Sequence, residues 1–342
     1  CIRDRDTSIN MAMQPFKMMV GDMVNEKQKG LAYSIQSFLC NAGSLVGFLF
    51  PFIFTWIGIS NIAPQGVVPD SVIYSFYIGA AILILCVIYT TVKVKEMPPA
   101  EYAEYHGITE EEEKEKINMV KLLIKAPKAF WTVGLVQFFC WFAFMFMWTY
   151  TNGSVAANVF DAPTVETAVN GVSKVMLDTK SIQYQDAADW VGVLFAVQAI
   201  GSVLWAVCIP LFKDRKLIYS LSLVLGGLGF ISTYFVHNQY VLFISFLLIG
   251  CAWAAMLALP FTILTNALSG GHMGTYLGLF NGTICIPQIV AASLGGSILA
   301  LFTPKGMLPP EINMLVMAGI MLIIGAVCVY LIKETKGEQT KA

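Results

Sequence analysis

Asp6-Thr7-Ser8-Ile9-Asn10-Met11-Ala12-Met13-Gln14-Pro15-Phe16-Lys17-Met18-Met19-Val20-Gly21-Asp22 is apolar enough to sit in a bilayer, yet it carries Asp6, Asn10, Gln14 and Lys17. At about 100° per residue those four side chains fall within an arc of about 80° on one helix face. A charge inside a membrane-spanning helix costs about 2.5–3.5 kcal/mol or more, so it faces protein interior or a watery path. An acid and a base at the two ends of the stripe, with amides between, fit a lined path for something polar. The alternative is that residues 1–10 lie at the helix mouth, where Asp6 is simply solvated.

The rest of the chain places that helix in a membrane. Of its 342 residues 57% are hydrophobic and 13% charged, with a mean hydropathy of +0.69. A soluble domain carries roughly 25% charged residues, so the composition predicts an all-α, polytopic membrane protein. A net charge of −1 with no basic tail gives nucleic acid no purchase. The eight cysteines are scattered without a CxxC pair, and the three histidines fall in loops or near span ends. Neither a disulfide framework nor a metal site is indicated, and no cofactor is expected.

Apolar runs of about 20 residues predict nine spans, at 6–24, 31–57, 71–92, 128–152, 189–212, 217–236, 240–268, 274–302 and 311–332. One set of connections, with the C-terminal tail, holds 15 Lys and Arg, and the opposite set holds 3. The rich side is cytoplasmic by the positive-inside rule, which puts the C-terminus inside and residue 1 outside. The longest connection includes the charged run Glu110–Lys116, read as solvated linker, and the Lys-spaced apolar piece 117–125, which suits an interfacial helix. The chain then divides into 1–93, a cytoplasmic linker 94–127, a six-helix part 128–333 and a cytoplasmic tail 334–342.

An internal repeat supports this division. Pro260-Phe261 and Pro15-Phe16 align 245 residues apart, and Gly274-Thr-Tyr-Leu-Gly278 follows at nearly the same offset from Gly30-Leu-Ala-Tyr-Ser34. Repeats of this kind build many transporters. The first span then corresponds to the seventh, the fourth helix after the linker, and three further helices are expected ahead of residue 1.

A second stripe lies on the span at 128–152. Gln137, Trp141, Phe144, Trp148 and Thr151 share an arc of about 80°. Aromatic faces beside an amide suit sugar rings, whose C–H faces stack while their hydroxyls find partners. A membrane-interface aromatic belt with ordinary packing is the other reading. Asp186 and Asp189 read as acids at a helix N-terminus, and Asn281 with Gln288 as interhelical hydrogen-bonding residues. No nucleophile, carboxylate dyad or phosphate loop appears on converging spans, so an enzyme is not expected.

The run Asp6…Asn10…Pro15-Phe16-Lys17…Gly21-Asp22 resembles the fourth helix of sucrose transporters, among the glycoside–pentoside–hexuronide cation symporters of the major facilitator superfamily. Ala32-Tyr33-Ser34 with Asn41–Gly47 resembles the fifth helix, and Gln137–Phe144 through Trp148–Thr151 the seventh. The resemblance implies a twelve-helix, 6+6 fold that imports a glycoside with a proton through a cavity lined by the first, fourth, seventh and tenth helices. About nine of those helices would be present. By carry-over Asp6 is the proton-coupling acid. Lys17 stands where the family has Arg, a point charge in place of a planar fork; it would tune Asp6 or bind sugar. Asn10, Gln14, Lys17, Gln137, Trp141, Trp148 and Tyr150 would contact the sugar. The implied partners are a disaccharide of maltose or sucrose type, a proton (or Na⁺) and the lipid bilayer, in the cell inner membrane. Rival readings are a permease for another polar solute such as a muropeptide or drug, a truncated inactive fragment, and an integral-membrane enzyme acting on lipid-linked sugar.

Overall fold

The computed structural model describes residues 19, 23–24, 28–59, 70–95, 119–169, 172–267, 273–304 and 306–332. Two compact units divide the chain: Cys1–Asn41 with Ile117–Ala342, and Ala42–Lys116. Helix α1 (Lys29–Trp56) runs through the division, and α2 (Asp70–Lys93) belongs to the second unit. In that unit Phe54 of α1 meets Tyr74 of α2 with ring centroids 6.4 Å apart. Almost all of α2's apolar surface is exposed, which water would oppose and lipid accepts.

The first unit continues with a short helix α3 (Met119–Ile124) and the long α4 (Lys128–Asn158). A hairpin of β1 (Thr164–Val169) and β2 (Val172–Leu177) follows, and then α5 (Ile182–Cys208), α6 (Arg215–Ser232) and α7 (Leu242–Ala267). The chain goes on through α8 (Met273–Phe280), α9 (Gly282–Phe302) and α10 (Ile312–Cys328). Among the described residues seven helical stretches are long and apolar enough to cross a membrane. They answer to the third to ninth predicted spans; α1, 28 residues long, occupies the second, and of the span at 6–24 only residues 19, 23 and 24 are described.

Some boundaries differ from expectation. The span starting at Lys128 runs on to Asn158, and the next begins at Ile182 rather than 189. Asp186 and Asp189 therefore sit in the first two turns of α5, and the cap is Ser181, whose Oγ accepts from the Tyr184 amide at 3.2 Å. The hairpin in the long loop is an addition to the all-helical expectation; Val169 pairs with Val172 in antiparallel register. The residues between them are Asn170-Gly171, the pair that favours a tight type I′ hairpin turn. The eighth span is broken at Asn281, between α8 and α9, and Asn281 Nδ2 reaches Cys285 Sγ in the first turn of α9 at 3.9 Å. The interfacial piece survives as α3, and Leu122 O in it accepts from the Tyr276 hydroxyl at 3.3 Å. In the tight Lys213–Lys216 connection Asp214 caps α6, its Oδ1 accepting from the Lys216 and Leu217 amides at 2.9 and 3.1 Å.

Helix α7 is the inner strut of this unit. It packs on α4, α5 and α6, while α10 packs on α4 and α6, and α9 on α4. Lipid tails are as apolar as the helices, so association relies on close approach at small residues. Gly201 of α5 and Gly250 of α7 make such a crossing: a Cβ at Gly201 would lie 2.5 Å from the Leu247 carbonyl oxygen, and one at Gly250 would overlap the Gln198 carbonyl. Gly227 of α6 and Gly319 of α10 repeat it, each within 3 Å of the other's carbonyl oxygen by the same measure.

Candidate functional site

Pro260 lies inside α7. Having no N–H, it cannot serve the carbonyl four residues back, which is that of Met256. A backbone acceptor left open at membrane depth needs another donor. Gln137 of α4 supplies it: the side chain is fully buried, and its Nε2 donates to Met256 O at 3.1 Å. Two residues earlier on α7, Ala254 O accepts from Ser37 Oγ of α1 at 3.4 Å, and Tyr33 stacks on Phe261 at 6.1 Å. Polar groups of α1 and α4 thus converge on the small-residue stretch of α7 just before its proline.

The amide of Gln137 is only half satisfied. Its Oε1 is buried without a partner, and one turn along α4 so is the indole Nε1 of Trp141. The two atoms are an acceptor and a donor on residues four apart, which share one helix face with Cβ atoms about 5–6 Å apart. Gln137→Leu should cost about 1–3 kcal/mol by stranding the Met256 carbonyl. Pro260→Ala in the same chain should recover most of that loss by restoring the native amide donor; a double-mutant cycle of thermal unfolding reads this coupling.

Beyond Trp141 the stripe becomes an aromatic cluster. Trp141 and Trp148 lie 6.4 Å apart, and Trp253 of α7 stands edge-on to both, at 5.8 and 5.7 Å. Phe144, fully buried, closes the base 4.9 Å from Trp253, and Trp148 is 44% exposed at the open side. Trp253 was not singled out from the sequence. The signal was there, as the one aromatic in the run Gly250-Cys-Ala-Trp-Ala-Ala-Met-Leu-Ala-Leu259, but only helix packing brings it to α4.

Other predicted residues fall elsewhere. Tyr150 sits roughly 160° round α4 from Trp148; it packs edge-on against Phe146 at 5.4 Å, and its hydroxyl lies 2.5 Å from where a Cβ on Gly295 of α9 would be. Thr151 is buried and its Oγ1 donates to Met147 O at 2.6 Å. Asp6, Asn10, Gln14 and Lys17 lie outside the described residues. Among the described residues no group of three His, Cys, Asp or Glu could hold a metal ion.

The fold has known counterparts. The sequence profile of the Major Facilitator Superfamily matches residues 9–176 and again residues 155–342, so this chain belongs to that superfamily of membrane transporters. A Major Facilitator Superfamily transporter, FucP, in its outward conformation, superposes with a TM-score of 0.63 at 12% identity, over 92% of this chain and 72% of that one. The Escherichia coli fucose:proton symporter FucP, in a variant crystal structure, superposes with a TM-score of 0.57 at 14% identity, over 91% and 71%. At such identities the likeness is one of fold. No curated protein matches in sequence.

Proposed function

We propose that this protein imports a disaccharide of maltose or sucrose type together with a proton across the cell inner membrane, with its C-terminus in the cytoplasm. One observation carries the sugar assignment: the Trp141–Trp148–Trp253 cluster stands beside a buried, unpartnered acceptor and donor, Gln137 Oε1 and Trp141 Nε1. A sugar offers C–H faces to indole rings, and each hydroxyl can donate to an amide oxygen and accept from an indole N–H. The related fold of a fucose:proton symporter is consistent with a sugar and a proton as the cargo.

In this reading residues 94–127 link the 1–93 and 128–333 parts, with 334–342 as tail. Asp6 exchanges the proton and Lys17 holds its titration in range by charge attraction. Asn10, Gln14 and Lys17 meet the sugar from the first span, and Gln137, Trp141 and Trp148 from α4. Tyr150, on the other face of α4, would act on the outer gate rather than in the cluster.

Binding of the sugar tests the cluster. Trp253→Ala should weaken sugar binding about 10- to 30-fold, the loss of one stacked ring at 1.4–2 kcal/mol. Trp141→Phe, which keeps a ring and removes the N–H, should cost less. Competition of uptake by unlabelled sugars, a muropeptide and a cationic drug identifies the solute class. Wild-type sugar affinity in Trp253→Ala would place the sugar elsewhere.

A further inference from the structure

Glu311 precedes α10 and is the one described acid whose carboxyl group is pressed into a helix–helix contact. The backbone fixes it there: after Pro309-Pro310, its amide donates to Pro309 O at 2.9 Å and its carbonyl accepts from the Met314 amide at 2.9 Å. The side chain lies against Gly153 of α4, so closely that a methyl group at Gly153 would overlap the carboxyl group. Gly153 is therefore a notch that admits the acid.

Inside the notch the acid lacks ionic support. Among the described residues no hydrogen bond or ion pair reaches the carboxyl group. The titratable group nearest to Gly153 along α4 is Tyr150, one turn back. α10 carries no Lys or Arg, and α4 only Lys128 at its other end. α9 presents Gly295 to Tyr150, its single titratable residue being Cys285, about three turns away. The bases of α6, Arg215 and Lys216, stand at the far end of that helix. Lys305 lies outside the described residues.

We propose that Glu311 is a proton-binding residue that latches α4 to α10: the neutral acid packs into the Gly153 notch, and the charged carboxylate leaves it for water. The step moves one proton between water and the Glu311 carboxylate and changes no other bond. It applies whatever solute the protein carries.

Burial pushes the Glu311 carboxyl up to about 7, from the usual value near 4.3. The closed contact therefore holds the proton more tightly than open water does. Its stability is full below the usual carboxylate range and is lost progressively as pH rises to about 7. Infrared titration of the purified, solute-free chain reads this directly. Expected is a carboxylic-acid C=O band that disappears with a midpoint near 7 and is missing in Glu311→Gln, an isosteric and permanently neutral variant. Gly153→Ala keeps every charge but closes the notch, and should return the Glu311 midpoint to the usual range near 4.3. The thermal midpoint of the wild type should fall between about pH 5 and about pH 7 by more than that of Glu311→Gln. A Glu311 band that titrates near 4.3 in the wild type, a Gly153→Ala midpoint unchanged from it, or parallel thermal profiles would each overturn the latch. None of these readouts involves a sugar, so the latch and the sugar assignment fail separately.

Discussion

Gly250→Val should leave little folded protein. A Cβ at Gly250 would overlap the Gln198 carbonyl oxygen and stand 2.7 Å from Ser202 N and 3.0 Å from Gly201 C, all backbone atoms of α5. Side chains can rotate out of a clash, whereas a helix backbone must move as a body. Moving it would pull apart the contact of Phe195 with the buried Phe246 on the same interface, whose rings lie 6.2 Å apart. Overpacking of a dense core costs about 1–3 kcal/mol when side chains can adjust, and more when the backbone cannot. Against a total stability of about 5–15 kcal/mol, a loss at or beyond the top of that range removes most of the folded population. The natural control is Gly192→Ala on the same α5. A Cβ there meets nothing within 4 Å, so the helix should gain about 0.5–1 kcal/mol from the better helix former. Monodisperse yield and thermal midpoint in detergent, measured on both variants, check the pair. A Gly250→Val protein that melts like the wild type would mean that α5 and α7 do not cross at these glycines.

Asp6→Asn should abolish uphill accumulation of sugar while leaving downhill exchange. Asn is nearly isosteric and keeps hydrogen-bonding capacity, but it cannot take and release a proton. A proton falling through about 100 mV provides about 2.3 kcal/mol, enough for roughly 40-fold accumulation of a coupled solute at 1.4 kcal/mol per tenfold. With the titrating group removed that ratio should drop to one. Proteoliposomes with an imposed proton gradient give the accumulation ratio, and counterflow of labelled sugar gives the exchange rate. A mutant that still concentrates sugar would remove Asp6 from the coupling role. If exchange is lost as well, Asp6 serves binding or folding. Lys17→Arg is the companion change, since it restores the planar fork of the resembling helices at the same charge. It should retain coupling and alter sugar preference.

Much of the fold is written in the sequence because a bilayer imposes one blunt requirement. Each segment within it must be apolar for about 20 residues and must close its own backbone hydrogen bonds. Eight predicted spans therefore reappear as described helices, and Met119–Ile124 marks the predicted interfacial piece. The ends are less legible. α4 and α5 run past the predicted limits because Asn158 and Ile182 lie in a polar stretch that hydropathy excludes and helical hydrogen bonding permits. The Asn-Gly pair at 170–171 was a readable hairpin signal in a loop otherwise judged by charge alone.

The candidate site divides differently. The sequence by itself placed an amide and a row of aromatics on one face of α4 and a proline at 260, while the acid and base expected on the first span fall outside the described residues. These follow from residue type and helical period, which are local. Only tertiary structure decided that Gln137 serves the Met256 carbonyl, that Trp253 completes the ring cluster, that Tyr150 meets Gly295 of α9, and that Glu311 rests on Gly153. Those pairings join residues about 100 or more positions apart. Helix packing sets them through the places where glycines let two backbones approach, and hydropathy along one chain has no knowledge of its neighbour.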